Sequence, residues 1–150
     1  MSELKRILIA EDDIKDIELT LAALDEFNLA NEVVVAYDGE EILDYLYRRG
    51  KFESRIKGNP AVIMLDIKMP KVTGLEVLEI IKSDENLKNI PTVILTSSKE
   101  EKDLVEGYRL GVNAFVVKPV DFKEFIDAVK QLGLFWAVIN EPPPGSVRKK

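Results

Sequence analysis

Apolar and polar positions alternate along the chain between two periods. Short unbroken apolar runs stand at Lys5 to Ala10, Glu32 to Ala36, Ala61 to Leu65, Thr92 to Leu95 and Asn113 to Val117. Runs this short, bounded by polar or turn-forming residues, predict strands covered on both faces. Between them the apolar residues recur at spacings of three and four, the stripe of an amphipathic helix. Ile14, Ile17, Leu21 and Leu24 mark the first helix, with Asp13 as its N-cap. Ile42, Leu43 and Leu46 mark the second, opened by Asp38-Gly39 and closed at Gly50. The third runs from about Thr73 to Ser83 with Leu75, Leu78 and Ile81 inward. The fourth covers about Lys99 to Leu110, capped by Ser98, with Leu104, Val105 and Tyr108 inward and Gly111 as C-cap. Phe122, Phe125, Ile126, Val129 and Leu132 define the last, which can run on through Phe135-Trp136.

Strand-helix pairs repeated in this way predict an α/β fold: a doubly wound parallel sheet of five strands with right-handed crossovers and helices on both faces. Ligands of such folds sit at the carboxyl ends of the strands. The first strand ends at Glu11 and Asp12, the third at Asp66, the fourth at Thr96 and the fifth at Lys118. Three carboxylates, a hydroxyl and an ammonium are thus expected on one rim. Asp66 is the sharpest case. Five apolar residues lead into it, Pro70 breaks the continuation, and a charge at the rim of a buried sheet is costly unless a cation compensates it.

Composition narrows the chemistry. The 150 residues are 46% hydrophobic, enough for one domain with a substantial core. There is no cysteine, which excludes disulfides and thiolate metal sites, and no histidine, which excludes imidazole catalysis and His-bound zinc. A net charge of −6 argues against a nucleic-acid-binding face. No apolar run approaches the ~18 residues of a membrane span and no leader precedes the first strand, so a cytoplasmic, membrane-free protein is expected. Residues 50–60 read as an exposed connection with Lys51, Arg55 and Lys57 solvated. Residues 141–150, with three consecutive prolines and then Arg148, Lys149 and Lys150, read as an extended, flexible tail.

Oxygen-only ligands suit a hard cation, and Mg²⁺ takes one or two carboxylates while keeping several waters. With Lys118 and Thr96 alongside, the rim could clamp a phosphoryl group around one carboxylate oxygen. That carboxylate could itself be the nucleophile.

Glu11-Asp12, then Leu65-Asp66-Ile67-Lys68-Met69-Pro70 with Gly74, then Thr96-Ser97, then Lys118-Pro119, resembles the receiver domain of two-component response regulators. The resemblance covers about residues 5–135 and implies a flavodoxin-like strand order 2-1-3-4-5, a single receiver domain over residues 1–140, and a signalling protein rather than an enzyme. It implies Asp66 as phosphoacceptor, and Mg²⁺ held by Asp12, Asp66, the backbone carbonyl of Lys68 and, through water, Glu11. It further implies that Thr96 turns toward the phosphoryl group, that Lys118 pairs with it, that Phe115 is a switch aromatic, and that the bond to Pro119 is cis. Phe115 also reads simply as a partly buried core aromatic. The segment from Arg48 to Pro60 and Gly133-Leu134-Phe135-Trp136 resemble the small regulators paired with phytochrome-type histidine kinases. That likeness implies a sensor kinase as partner and a homodimer through helix four, strand five and helix five. Phe135 and Trp136 themselves read equally as a core cap or as part of a partner surface.

Two other readings share the fold. A Mg²⁺-dependent phosphohydrolase with an aspartyl nucleophile usually carries a general-acid aspartate two residues on, where this chain has Lys68. A flavodoxin-like FMN binder needs a phosphate loop after strand one, where Glu11, Asp12 and Asp13 would repel the phosphate.

Overall fold

In the computed structural model, which describes residues 4–29, 32–97 and 99–149, five parallel strands form one sheet. They are β1 (Ile7–Ala10), β2 (Val33–Ala36), β3 (Val62–Leu65), β4 (Thr92–Thr96) and β5 (Ala114–Val117), in the order β2-β1-β3-β4-β5. This is the 2-1-3-4-5 order of the flavodoxin-like receivers. β1, β3 and β4 are buried along their whole length, whereas β2 and β5 at the edges are only partly covered. Unbroken apolar runs are the sequence trace of strands covered on both faces.

Helices α1 (Ile14–Asp25), α2 (Gly39–Tyr47), α3 (Gly74–Ser83), α4 (Glu101–Arg109) and α5 (Phe122–Leu134) alternate with the strands. Successive strand residues point to opposite faces, so each face has its own core. Leu8, Ile63, Leu65 and Ile94 meet Ile42, Leu46, Leu78 and Ile81 of α2 and α3. Ile7, Ile9, Met64 and Leu95 meet Leu24 of α1 and Phe125 and Val129 of α5. Asp13, Asp38, Thr73 and Asp121 cap α1, α2, α3 and α5, each side chain accepting from a backbone N–H in the first turn. At Thr73 the cap is reciprocal, because the Glu76 carboxylate accepts from the Thr73 N–H.

Several expectations are corrected. Leu104, Val105 and Tyr108 of α4 face outward, at 40%, 59% and 54% exposure. The buried residue of this helix is Gly107, where a Cβ would stand 3.2 Å from Ile94 and from Phe115. α4 therefore meets the sheet through a glycine, and its apolar residues are left for solvent or a partner. Ser98, expected to cap it, lies outside the described residues. Ile14 and Phe122, both placed on inward stripes, are exposed at the first turns of α1 and α5. Arg55 is not a freely solvated side chain: its guanidinium donates to the carbonyls of Tyr45, Leu46, Ile56 and Gly58 and lies over the Tyr45 ring. It ties the 50–60 connection to α2.

α5 does run on, as a wide π turn over Phe135–Ile139. Trp136 packs partly against the core while Phe135 stays exposed, their rings edge to face at 5.0 Å. The C-terminal segment then folds back, contrary to an extended tail. Arg148–Lys149 pairs antiparallel with Leu4–Lys5, the Asn59 N–H donates to the Gly145 carbonyl, and Val147 is buried. Lys5, expected inside the first strand, instead donates to the Val138 and Asn140 carbonyls at the end of the π turn.

Candidate functional site

Register alone brings the strand-end residues together. Ala10 is the partner of Leu65, and Leu65 of Ile94, so Glu11 and Asp66 leave neighbouring strands side by side. Strand neighbours lie about 4.8 Å apart. Thr96 is the partner of Val117, after which Lys118 turns in and donates its N–H to the Thr96 carbonyl at 2.7 Å.

The loop after β3 is fixed by glycine. The Gly74 N–H donates to the Ile67 carbonyl at 2.7 Å, and a Cβ at Gly74 would lie 2.0 Å from the Asp66 carbonyl oxygen. α3 thereby starts against the backbone of Asp66 and Ile67. The Ile67 N–H donates to Asp66 Oδ1 at 2.7 Å, leaving Oδ2 toward the rim.

Glu11, Asp66, Thr96 and Lys118 are all buried, while Asp12 is exposed. Lys118 Nζ is the hub. It donates to Glu11 Oε1, to Asp16 Oδ2 at 2.7 Å and to Asp66 Oδ2 at 3.4 Å. One carboxylate oxygen each from Glu11, Asp12 and Asp66 falls within 4.8 Å of the others. Such an oxygen-only donor set fits a hard divalent cation. Burial pushes the Glu11 carboxyl up to about 7, with Asp66 adding to the rise and Lys118 opposing it. Burial also works against the Lys118 charge, but hydrogen bonds to Asp16 and Glu11 and the nearby Asp66 outweigh it and hold the ammonium above its ordinary value.

Glu11, Asp12, Asp66, Thr96 and Lys118 come together at the carboxyl ends of the strands. Lys68 is an exposed residue of the loop that follows Asp66. Phe115 is half-buried on β5, packed against the core and facing Gly107. Phe135 and Trp136 follow α5, at the far end of the last helix. The bond to Pro119 is trans, against the expected cis. Lys118 already reaches its three carboxylates with the trans isomer, which X-Pro bonds favour by about 0.5–1 kcal/mol. The sequence reading missed Asp16. The signal was its place three residues after the Asp13 cap, where the first turn of α1 can return a side chain toward the rim.

The model of the response regulator receiver domain matches residues 7–130. The chain belongs to the response-regulator receiver family. This receiver is 34% identical to the response regulator Rcp1 of Synechocystis over 132 residues, 88% of either chain. Its fold matches a crystal structure of the phosphorylated cyanobacterial phytochrome response regulator RcpA at a TM-score of 0.86 and 37% identity, covering 93% of this chain and 98% of that one. The Mn²⁺-bound form of Rcp1 also superposes at a TM-score of 0.86, with 33% identity and coverage of 93% and 99%. The bacteriophytochrome response regulator RtBRR is 61% identical, with a TM-score of 0.74 and coverage of 95% and 86%. No helix among the described residues is long and apolar enough to cross a membrane.

Proposed function

We propose that this receiver takes a phosphoryl group onto Asp66 from the phosphohistidine of a partner sensor histidine kinase of the phytochrome type. Asp66 Oδ2 attacks phosphorus, the bond to the donor nitrogen breaks, and its electron pair returns to the imidazole. The Lys118 ammonium pairs with one phosphoryl oxygen and the Thr96 hydroxyl donates to another. Asp12, Asp66, the Lys68 carbonyl and, through water, Glu11 would hold Mg²⁺, which supplies positive charge against the trianionic transition state.

The observation that carries this reading is the Lys118 ammonium 3.4 Å from Asp66 Oδ2, in a rim where Glu11, Asp12 and Asp66 converge within 4.8 Å. The relatives named for phytochromes support the choice of kinase, the phosphorylated RcpA the phosphoacceptor, and the Mn²⁺-bound Rcp1 the divalent cation. The chain is not an enzyme toward other substrates; it promotes only its own phosphorylation and dephosphorylation, in the cytoplasm. Output runs through α4, β5 and α5. Leu104, Val105, Tyr108 and Val117 are exposed there, which supports a protein partner or a second copy on this face. Phe115 lies beneath α4 and would carry the change at Thr96 to it.

Incubation with Mg²⁺ and acetyl phosphate tests the proposal. Intact mass should rise by one phosphoryl group, and neither Asp66→Asn nor chelated wild type should gain it. An Asp66→Asn protein that gains as much overturns the assignment.

A further inference from the structure

Lys118 has three N–H donors and three carboxylate partners, Glu11, Asp16 and Asp66. Two of these belong to the set that converges within 4.8 Å, and Asp16 does not. Asp16 reaches in from the first turn of α1 with its side chain 26% exposed, whereas the Lys118 side chain is 7% exposed. A divalent cation held by Asp12 and Asp66, with Glu11 through water, would repel the ammonium and compete with it for the Glu11 and Asp66 carboxylates. A buried ammonium without an anion is costly, so it would either compete with the cation or need another partner.

We propose that Asp16 is a positioning residue for Lys118, retaining the ammonium at the rim when a divalent cation takes Glu11 and Asp66. This inference rests on the reading of Glu11, Asp12 and Asp66 as a cation site. With Asp16 as anchor, metal and lysine occupy the rim together; without it they exclude each other. Asp16 could instead act only as an acid complementing the N-terminus of α1, or as one more negative charge near the metal. Both of those roles survive removal of Lys118, and the positioning role does not.

The decisive measurement is a double-mutant cycle on Mg²⁺ affinity by calorimetry, needing no phosphoryl transfer. Asp16→Asn should weaken Mg²⁺ about five- to tenfold beside Lys118 but less than about twofold in the Lys118→Gln background. Asp16→Glu, which keeps the charge, should restore most of the wild-type affinity. In the Mg²⁺-loaded protein the Lys118 ammonium should give a hydrogen-bonded ¹⁵N-lysine signal that Asp16→Asn loses. Equal losses in the two backgrounds, or an unchanged ammonium signal, overturn the proposal. Expected coupling without any phosphoryl gain on Asp66 overturns the phosphoacceptor reading alone. Phosphoryl gain without coupling overturns the role of Asp16 alone, and a wild type that binds no Mg²⁺ overturns both.

Discussion

Burial removes the water that would stabilise a charge on Glu11 and Asp66 repels it, and the Lys118 ammonium offsets only part of this. The Glu11 carboxyl titrates near 7 in the folded protein against an ordinary 4.5. The sign follows from linkage: between those values the folded state holds a proton that the unfolded chain has released. The stability contributed by that proton is complete below about 4.5 and is lost as pH rises through about 7. Urea unfolding of Mg²⁺-free protein from about pH 5 to about pH 8 should therefore show stability falling, with at most about 1.4 kcal/mol lost per pH unit for one proton. Glu11→Gln should remove that part of the slope, and an unchanged slope in the variant would refute the assignment. Most residues of this rim were legible because a parallel sheet sends its functional groups to the strand ends, where Glu11, Asp66, Thr96 and Lys118 stand in the sequence. Asp16 was not, since an acid in the first turn of a helix is already accounted for by the helix dipole.

The elements differ in how much holds them. α3 buries Val77, Leu78 and Ile81 and carries a reciprocal cap, while the buried residue of α4 is Gly107. Local opening is easiest where few apolar contacts are lost. Amide hydrogens of α4 should accordingly exchange faster than those of α3, by about tenfold or more, in a mass-spectrometric time course. Equal protection would mean that α4 is anchored by something other than its contacts with the sheet. The existence of α4 was legible in the sequence and its facing was not. Leu104, Val105 and Tyr108 form a stripe, and a stripe shows that one side is apolar without showing what covers it. Which side of α4 faces the sheet depends on how closely Ile94 and Phe115 approach Gly107, which no local pattern encodes. In the proposed signalling route, a helix above Phe115 that is held by few contacts would respond to a change at Thr96, since a few kcal/mol can shift its equilibrium.

Across the whole molecule the two ends of the strands have separate work. Charged groups collect at the carboxyl ends of the strands. At the amino ends, Leu4–Lys5, Asn59 and residues 141–149 close over one another. That closure was illegible because it joins segments far apart in the sequence, and three prolines followed by basic residues carry the local signature of an extended chain. Its energy can be bounded. Burying one valine contributes about 1.5–3 kcal/mol, and each hydrogen bond such as that from the Asn59 N–H to the Gly145 carbonyl adds about 1 kcal/mol. Ordering the segment costs conformational entropy of comparable size, so the net contribution is smaller than the sum of these contacts. Deleting residues 141–150 should lower stability in urea unfolding, and Val147→Ala alone should lower it by about 1–2 kcal/mol. Mg²⁺ affinity of the deleted protein should match wild type, because the strands separate the clasp from the acidic rim. A deletion that leaves stability unchanged would show that the segment does not fold back in solution. One that weakens Mg²⁺ would show instead that the two ends of the strands are coupled through the sheet.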